Sequence, residues 1–151
     1  MCSSASPRPP ARVSAIDRYA GAGGDATALH AQLGEQRGPV VLLIDDAEGF
    51  DDVDGAIAGL LGAGRHDLHV IAAARADALR SLYSHWTQEI RKSKVGLLLR
   101  PSIDYDGDLV GTTLPRRAPV QMTVGRGYLS HNGEAEIIQV ALPGGWDHAL
   151  R

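Results

Sequence analysis

The feature that most constrains the fold is a run of five apolar residues that ends in two adjacent carboxylates, Val40-Val41-Leu42-Leu43-Ile44-Asp45-Asp46. A short β-branched and leucine run, bounded by Gly38-Pro39 and an acidic loop, predicts a strand buried on both faces of a parallel sheet. Such a strand delivers its last residues to the carboxyl edge of the sheet, where ligands bind in open α/β folds. Asp45 and Asp46 are therefore the first candidates for a functional site.

The composition bounds the size of the domain and its partners. A chain of 151 residues with 44% apolar content supports one core of ordinary size. We expect an irregular segment over residues 1–12, rich in Ser, Pro and Arg, and a single α/β domain over residues 13–151. The net charge of -3 gives no general attraction to nucleic acid or anionic lipid.

Cysteine content and apolar run length bear on location. Cys2 is the single cysteine, so the chain forms no internal disulfide, and a cytoplasmic location is expected. The longest apolar runs are far shorter than the ~20 residues that cross a bilayer. We therefore expect no direct membrane insertion, and any membrane attachment of the parent protein would come from another part of it.

Helix and strand patterns alternate over residues 25–99 and predict right-handed crossovers with a parallel sheet. The predicted strands are Val40 to Ile44, Leu68 to Ala74 and Leu97 to Leu99, and a helix from Asp25 to Gln36 precedes the first of them. The helix between the first two strands has Asp51, Asp52 and Asp54 at its start and Val53, Ile57, Leu60 and Leu61 on its apolar face. The helix between the second and third strands is long, is capped by Asp77, and has Leu79, Leu82, Tyr83, Trp86 and Ile90 on its apolar stripe. Tyr83 and Trp86 are expected in the core.

The character of the sequence changes after residue 102. Two predicted strands, Tyr128 to His131 and Ile137 to Leu142, flank Asn132-Gly133. An Asn-Gly pair between apolar runs is a strong signal for a two-residue turn. The sequence therefore predicts a C-terminal β-hairpin.

Five segments follow one another in an order that resembles the C-terminal half of an FtsK/SpoIIIE-type ATPase domain. They are Val40 to Asp46, Leu68 to Arg75, Arg91 to Leu99, Asp108 to Gly111 and Gly125 to Leu129. The spacing is most similar to actinobacterial members, including the ATPase modules of type VII secretion coupling proteins. The resemblance covers residues 38–142 and implies an α/β fold, a partial RecA-like P-loop NTPase sheet of parallel strands with helices on both faces and the C-terminal hairpin. It implies a translocase that couples ATP hydrolysis to movement of DNA or of secreted protein.

The resemblance gives the two carboxylates separate roles. Asp45 matches the Walker B acid that binds Mg²⁺ through water, and with it ATP, while Asp46 matches the catalytic acid that orients the hydrolytic water. The family usually has Glu in the second place, and Asp is one methylene shorter. Where the family has a small polar residue at the end of its sensor strand, this chain has Ala74-Arg75. We expect Arg91 and Arg126 to be surface charges. By the family resemblance, they are also the arginines that could face the nucleotide of a neighbouring subunit.

A Gly-x-x-x-x-Gly-Lys-Ser/Thr loop is absent from this sequence. Since that loop supplies most of the grip on the β- and γ-phosphates, we expect the isolated chain to be inactive, with ATP and Mg²⁺ bound only in an intact domain. The expected partners are a missing N-terminal half or sister ATPase domains, a homo-oligomeric ring in the parent protein, and DNA or secreted protein as substrate. The alternative is a non-catalytic, ATPase-like interaction module.

The family's strand order implies that its Walker A strand lies between the strands Leu68 to Ala74 and Leu97 to Leu99. Without that strand, we expect the gap to be closed by direct pairing of the two flanking strands, by dimerisation, or within a larger assembly. The first two strands should stay parallel neighbours, with Asp45, Asp46 and Arg75 on one edge. Arg100 should end the third strand on the same side.

Overall fold

The computed structural model describes residues 31, 33–35, 38–116 and 121–141. Residues 33–35 are helical, and Leu33 is buried in the core. Most of the helix predicted from Asp25 to Gln36 lies outside the described residues, as does the irregular segment predicted for residues 1–12. The remaining elements account for a mixed α/β architecture.

In chain order the elements are β1 (Val40–Ile44), a 3-10 turn (Ala47–Gly49), α1 (Ala56–Gly62), β2 (Leu68–Ala72), α2 (Ala76–Ser81), α3 (Thr87–Arg91), β3 (Gly96–Leu99), a 3-10 helix (Asp106–Val110), β4 (Arg126–His131) and β5 (Glu134–Gln139). They form two sheets, with strand orders β1-β2 and β3-β4-β5. None of the helices in the described part of the chain is long and apolar enough to cross a membrane.

The first sheet is the parallel pair that the sequence predicts. β1 and β2 run side by side in register from Val40 opposite Leu68 to Ile44 opposite Ala72. Both strands begin at the predicted residues, and β2 ends two residues earlier than predicted. The prediction that these strands are parallel neighbours is confirmed.

One face of this sheet packs on a core cluster. The buried members of that cluster are Leu33, Ala47, Ile57, Leu60 and Trp86, and the half-buried residues against them include Val40, Leu42, Ile44, Leu68 and Ala72. Full burial of a Leu or Ile side chain, as for Ile57 and Leu60, contributes about 1.5–3 kcal/mol to the free energy of unfolding. The cluster holds α1 and the start of α3 against the inner face of the sheet.

The opposite face of the β1–β2 sheet is exposed, which corrects the prediction of strands buried on both faces. Val41, Leu43 and Ile71 are 59%, 62% and 59% exposed. Successive side chains of a strand point to opposite faces, so the alternating burial means that one face alone is covered. All five residues of β1 are apolar, as in a strand that is covered on both faces. The described elements, however, cover only one face of this sheet.

α1 begins later than predicted. The carboxylate of Asp52 accepts hydrogen bonds from the backbone N–H groups of Ile57 at 3.0 Å and Ala58 at 2.8 Å, which satisfies donors of the first turn. Val53 therefore lies in the preceding turn and is 89% exposed, so its predicted place on the apolar face is wrong.

The long helix predicted after β2 is broken into α2 and α3. The indole N–H of Trp86 donates to the carbonyl oxygen of Phe50 at 2.7 Å, and the side-chain amide of Gln88 donates to the carbonyl oxygen of Tyr83. Residues 82–86 are not helical, and these side-chain bonds tie the break to Phe50 and to its own backbone. Trp86 is buried as predicted, whereas Tyr83 is 85% exposed and is not a core residue.

The second sheet is antiparallel, so the prediction of a third parallel strand is wrong. β3 pairs with β4, Gly96 lying opposite Ser130, and β4 pairs with β5. β3 and β4 are so close at Gly127 that a Cβ atom there would overlap the carbonyl oxygen of Leu98. Asn132 and Gly133 both have positive φ, 53° and 84°, as the two-residue hairpin turn requires, which confirms the predicted C-terminal hairpin. The strand bounds differ from the prediction: β4 begins two residues before Tyr128, and β5 begins three residues before Ile137 and ends at Gln139, while Leu142 lies outside the described residues.

The 3-10 helix Asp106–Val110 is bonded to side chains of both α2 and α3. Arg80 of α2 forms an ion pair with the buried carboxylate of Asp106, which also accepts a hydrogen bond from the backbone N–H of Ser102 at 2.7 Å. The Nε–H of Arg91 in α3 donates to the carbonyl oxygen of Leu109 at 3.1 Å. The basic residues of these helices thus have structural partners.

Candidate functional site

The carboxyl ends of β1 and β2 meet at one edge of the parallel sheet. Asp45 and Asp46 follow β1, and Arg75 lies three residues after the end of β2. Two backbone hydrogen bonds fasten this edge, from Ala73 N–H to the Ile44 carbonyl at 2.8 Å and from Ala47 N–H to the Ala73 carbonyl at 2.9 Å. The predicted placement of Asp45, Asp46 and Arg75 on one edge is confirmed, and their roles stay predictions.

The turn after β1 keeps both aspartates at the surface. Asp46 has a left-handed backbone, with φ 49° and ψ 44°, a conformation that Asp tolerates better than most residues. Its backbone N–H donates to Oδ1 of Asp45 at 3.1 Å. The left-handed residue turns the chain so that Ala47 is fully buried while the carboxylates of Asp45 and Asp46 stay exposed.

Glu48 is a further carboxylate at this edge, and the sequence reasoning missed it. Its Oε1 accepts a hydrogen bond from Nε of Arg75 at 3.0 Å, which joins the loops that follow β1 and β2. The side chain of Glu48 is 12% exposed, and its buried Oε2 has no hydrogen-bond partner among the described residues. The signal that could have found it is the parallel register, which brings the loop after Asp46 beside Arg75.

The ion pair changes the proton affinity of both partners. Burial works to raise the pKa of Glu48, but hydrogen bonds from the backbone and from Arg75 outweigh it and hold the pKa below its ordinary value. The hydrogen bond to Glu48 raises the pKa of Arg75, and the negative charges of Asp77 and Asp46 act in the same direction. The positive charge of Arg75 is therefore stabilised by the acidic side chains around it.

The edge offers carboxylate oxygens and one guanidinium as possible ligand groups. Carboxylate oxygens suit Mg²⁺, which usually takes one or two of them and completes its shell with water and phosphate oxygens. Within the described ranges, no group of three or more His, Cys, Asp or Glu side chains is placed to hold a metal ion. Since Asp45, Asp46 and Glu48 outnumber Arg75 at this edge, these residues by themselves do not fit a triphosphate.

The other arginines singled out from the sequence lie elsewhere. Arg91 is tied to the carbonyl of Leu109, and Arg126 begins β4 and donates from Nη1 to the Gln121 carbonyl at 3.3 Å. Arg100 follows β3, which belongs to the other sheet. No strand pairing among the described residues relates Arg100 to the carboxyl edge of β1 and β2, so its expected place on that side stays a prediction.

An open groove of about 540 Å³ lies between the loop before α1 and the start of α3. It is lined by Asp51, Ser84, His85, Gln88 and Glu89, among others. The Nε2 of His85 lies 3.0 Å from the Phe50 carbonyl oxygen, and its Nδ1 lies 2.9 Å from the Thr87 hydroxyl. Both ring nitrogens are engaged, so His85 anchors the loop rather than presenting a free base to the groove.

Comparison with known proteins adds no relative. No family model matches the chain, and neither a curated protein nor a solved structure matches it. The resemblance to FtsK/SpoIIIE-type ATPases therefore stays a hypothesis that rests on the order of the motifs.

Proposed function

We propose that this chain is part of the ATPase domain of an FtsK/SpoIIIE-like translocase, which couples ATP hydrolysis to movement of DNA or of secreted protein. In this proposal Asp45 binds Mg²⁺ through water and Asp46 orients the hydrolytic water. The phosphate-binding half of the site comes from another polypeptide segment. The observation that carries the proposal is the parallel pairing of β1 and β2, which gathers Asp45, Asp46 and Arg75 at one carboxyl edge.

The break between the two sheets supports the same proposal. Within the described residues, β2 has β1 as its neighbour and no strand on its other side, and β3 belongs to a separate sheet. The family resemblance would place the Walker A strand at this break. The two flanking strands do not pair with each other directly, and among the described residues no strand lies along the second edge of β2, where we propose that an added strand pairs.

The proposal includes inactivity of the isolated chain. Phosphoryl transfer depends on positioning and on neutralising the charge of the β- and γ-phosphates. At the carboxyl edge the guanidinium of Arg75 is bonded to Glu48, and the neighbouring groups are acidic. Mg²⁺-ATP should therefore bind weakly or not at all until a phosphate-binding loop is supplied.

A split-domain experiment tests the proposal. The chain is mixed with the N-terminal, Walker A-containing half of an FtsK/SpoIIIE-type ATPase domain, and Mg²⁺-dependent phosphate release is measured. We expect neither part to hydrolyse ATP alone, and the mixture to do so. Asp45→Ala should abolish this activity, Asp46→Asn should lower it by about 100-fold or more, and Asp104→Asn, an exposed acid outside the site, should leave it unchanged.

Each failure has a separate meaning. Hydrolysis by the isolated chain that Asp45→Ala abolishes would contradict the predicted inactivity. A stable complex with the added half but no hydrolysis would favour the second candidate, the non-catalytic interaction module. The observation that favours this candidate is the ion pair of Glu48 with Arg75, because it occupies the position where the family has a small polar residue. Absence of both complex and hydrolysis would count against the family assignment.

A further inference from the structure

We propose that Asn132 is a modification site, which deamidates spontaneously through a succinimide and whose conversion to isoaspartate releases the hairpin turn from Thr112. Asn132 is the single asparagine of the chain, and Gly133 follows it. Both residues are exposed in the turn between β4 and β5. The proposal concerns the second sheet and does not depend on nucleotide chemistry at the carboxyl edge of the first.

The reaction needs water and the groups of the turn itself. The backbone nitrogen of Gly133 attacks the side-chain carbonyl carbon of Asn132 and forms a new C–N bond. The proton of that nitrogen passes through solvent to the side-chain amide, which leaves as ammonia. Water then opens the five-membered ring at either carbonyl and gives aspartate or isoaspartate. Glycine hinders the attack least among the amino acids because it has no Cβ atom.

The attacking nitrogen is accessible in this turn. A two-residue turn pairs the residues that flank it, here His131 with Glu134, and leaves the central amide outside the ladder. Among the described residues, the N–H of Gly133 donates no hydrogen bond. The nucleophile and the side-chain amide of Asn132 are therefore both in contact with solvent.

Two Asp-Gly pairs of the chain have the same capacity for ring closure but are held back by the fold. In Asp54-Gly55 the N–H of Gly55 donates to the Asp52 carbonyl oxygen at 3.0 Å. In Asp106-Gly107 the carboxylate of Asp106 is 8% exposed and is paired with Arg80, and an ionised carboxylate resists attack by an amide nitrogen. The structure therefore singles out Asn132-Gly133 among the described pairs of this type.

A hydrogen bond to a buried side chain controls the opening of the turn. The hydroxyl of Thr112, which is 6% exposed, donates to the carbonyl oxygen of Gly133 at 2.8 Å. The left-handed backbone of Asn132 places the nitrogen of Gly133 on the far side of the Cα–C bond from the side chain, so that bond must rotate before the ring can close. The reaction therefore proceeds from a locally opened turn.

The isoaspartate product does not fit the closed turn. Its main chain runs through the former side chain and is one methylene longer, whereas the register of β4 and β5 depends on a two-residue connection. The carbonyl of Gly133 moves away from Thr112, whose buried hydroxyl then loses its acceptor. The aspartate product keeps the normal backbone, and Asp tolerates the left-handed conformation.

Peptide mapping of the full chain by mass spectrometry provides the test. We expect the mass gain of deamidation in the fragment that contains Asn132, with isoaspartate there and none at the two Asp-Gly pairs. The rate should rise from neutral to mildly alkaline pH, because the deprotonated amide nitrogen is the nucleophile. It should stay below the rate of a free peptide with the sequence of residues 130–136. Asn132→Gly keeps a turn-forming pair and should show no modification.

Two variants test the control by Thr112. Thr112→Val removes the hydroxyl and should accelerate deamidation about two- to tenfold, the factor that one ordinary hydrogen bond gives. Thr112→Ser keeps the hydroxyl and should retain the wild-type rate. Circular dichroism would reveal a Thr112→Val chain that fails to fold. Hydrogen exchange at the N–H of Glu134 in the wild type then replaces it, because the open fraction of the turn should equal the ratio of the chain's rate to the peptide's rate.

The structural consequence is measured on the purified isoaspartate form. Hydrogen exchange should speed up in β4 and β5, whereas Asn132→Asp, which has the charge without the longer backbone, should keep the wild-type protection. An unmodified Asn132 in the folded chain after the free peptide has reacted completely would overturn the proposed site. Equal rates in wild type and a folded Thr112→Val chain would overturn the control by Thr112. Unchanged exchange in the isoaspartate form would overturn the release of the turn.

Discussion

The parallel β1–β2 sheet and the antiparallel β3–β4–β5 sheet place their apolar residues and their chemistry differently. The parallel sheet joins strands whose paired residues, such as Val40 and Leu68, are 28 positions apart, and it presents exposed carboxylates at one edge. The antiparallel sheet includes a hairpin with a two-residue turn. Side-chain burial on one face stabilises the first, whereas close backbone approach characterises the second.

The second sheet shows how small residues permit that approach. Tyr128 and Ser130 are buried, and the hydroxyl of Ser130 lies 3.4 Å from the carbonyl oxygen of Val110. A Cβ atom at Gly96 would overlap the side chain of Val110, and one at Gly127 would overlap the Leu98 carbonyl. Gly-Arg-Gly, one of the motifs behind the family resemblance, therefore has a local structural reason in this chain. Close backbone packing thus characterises the second sheet, whereas the first sheet leaves the carboxylates of Asp45 and Asp46 exposed at its edge.

The largest expected effect is on the parallel sheet. Trp86→Ala removes a buried indole from the core cluster and its hydrogen bond to the Phe50 carbonyl, so we expect a loss of about 3–5 kcal/mol in the free energy of unfolding. Urea denaturation measures the loss. Tyr83→Ala, at an exposed position, is the control and should cost less than about 0.5 kcal/mol. Hydrogen exchange should speed up in β1 and β2 before β4 and β5. Equal acceleration in both sheets would show that they share one cooperative core.

A somewhat smaller effect is expected at the backbone contact of the antiparallel sheet. Gly127→Ala forces β4 away from the Leu98 carbonyl and should destabilise the chain by about 2–3 kcal/mol. Gly59→Ala is the opposite case, because this helical glycine has open space around its Cβ position. It should stabilise α1 by about 0.5–1 kcal/mol. Thermal melts of both variants decide the matter, and a neutral Gly127→Ala would mean that close backbone approach does not hold the second sheet.

The smallest effect concerns pH and the carboxyl edge of the parallel sheet. Because the folded state lowers the pKa of Glu48 below its ordinary value of 4.5, the carboxylate form stabilises the fold at higher pH. That contribution is lost as the pH falls through the folded pKa. Wild type should therefore exceed Glu48→Gln in stability at neutral pH, and the difference should shrink below pH 4.5. Denaturation curves at several pH values measure it, with Glu134→Gln on β5 as the control, and a difference that grows in acid would contradict the assignment.

Local signals predicted part of this fold accurately. The run Val40 to Ile44 gave the correct strand bounds, and Asn132-Gly133 gave the correct turn, because each signal is complete within a few residues. The parallel order of β1 and β2 followed from the intervening helix. The single long helix was predicted wrongly, because its periodic pattern carries no sign of the break between α2 and α3, where Trp86 donates to the carbonyl oxygen of Phe50.

The candidate site was predictable to a similar extent. Asp45, Asp46 and Arg75 share an edge because the parallel register requires it. Glu48 was not predicted, because its place at this edge depends on an ion pair with Arg75, which joins two loops that are distant in sequence. The pairing of β3 with β4 was not predicted because the apolar run of three residues, Leu97 to Leu99, fits a parallel or an antiparallel sheet equally well.

The two-residue turn at Asn132-Gly133 also bears on the order of folding. A hairpin closed by such a turn forms in about 1–10 μs, since its ends are already adjacent. Pairing β1 with β2 requires closure of a loop that contains α1, and this entropic cost must be met before any ladder contact forms. We therefore expect β4 and β5 to be protected early during refolding and β1 and β2 late, an order that pulse-labelled hydrogen exchange would resolve. Until β2 arrives, β1 is a free apolar strand, so the slow step of folding is also the one at which this chain is most exposed to aggregation.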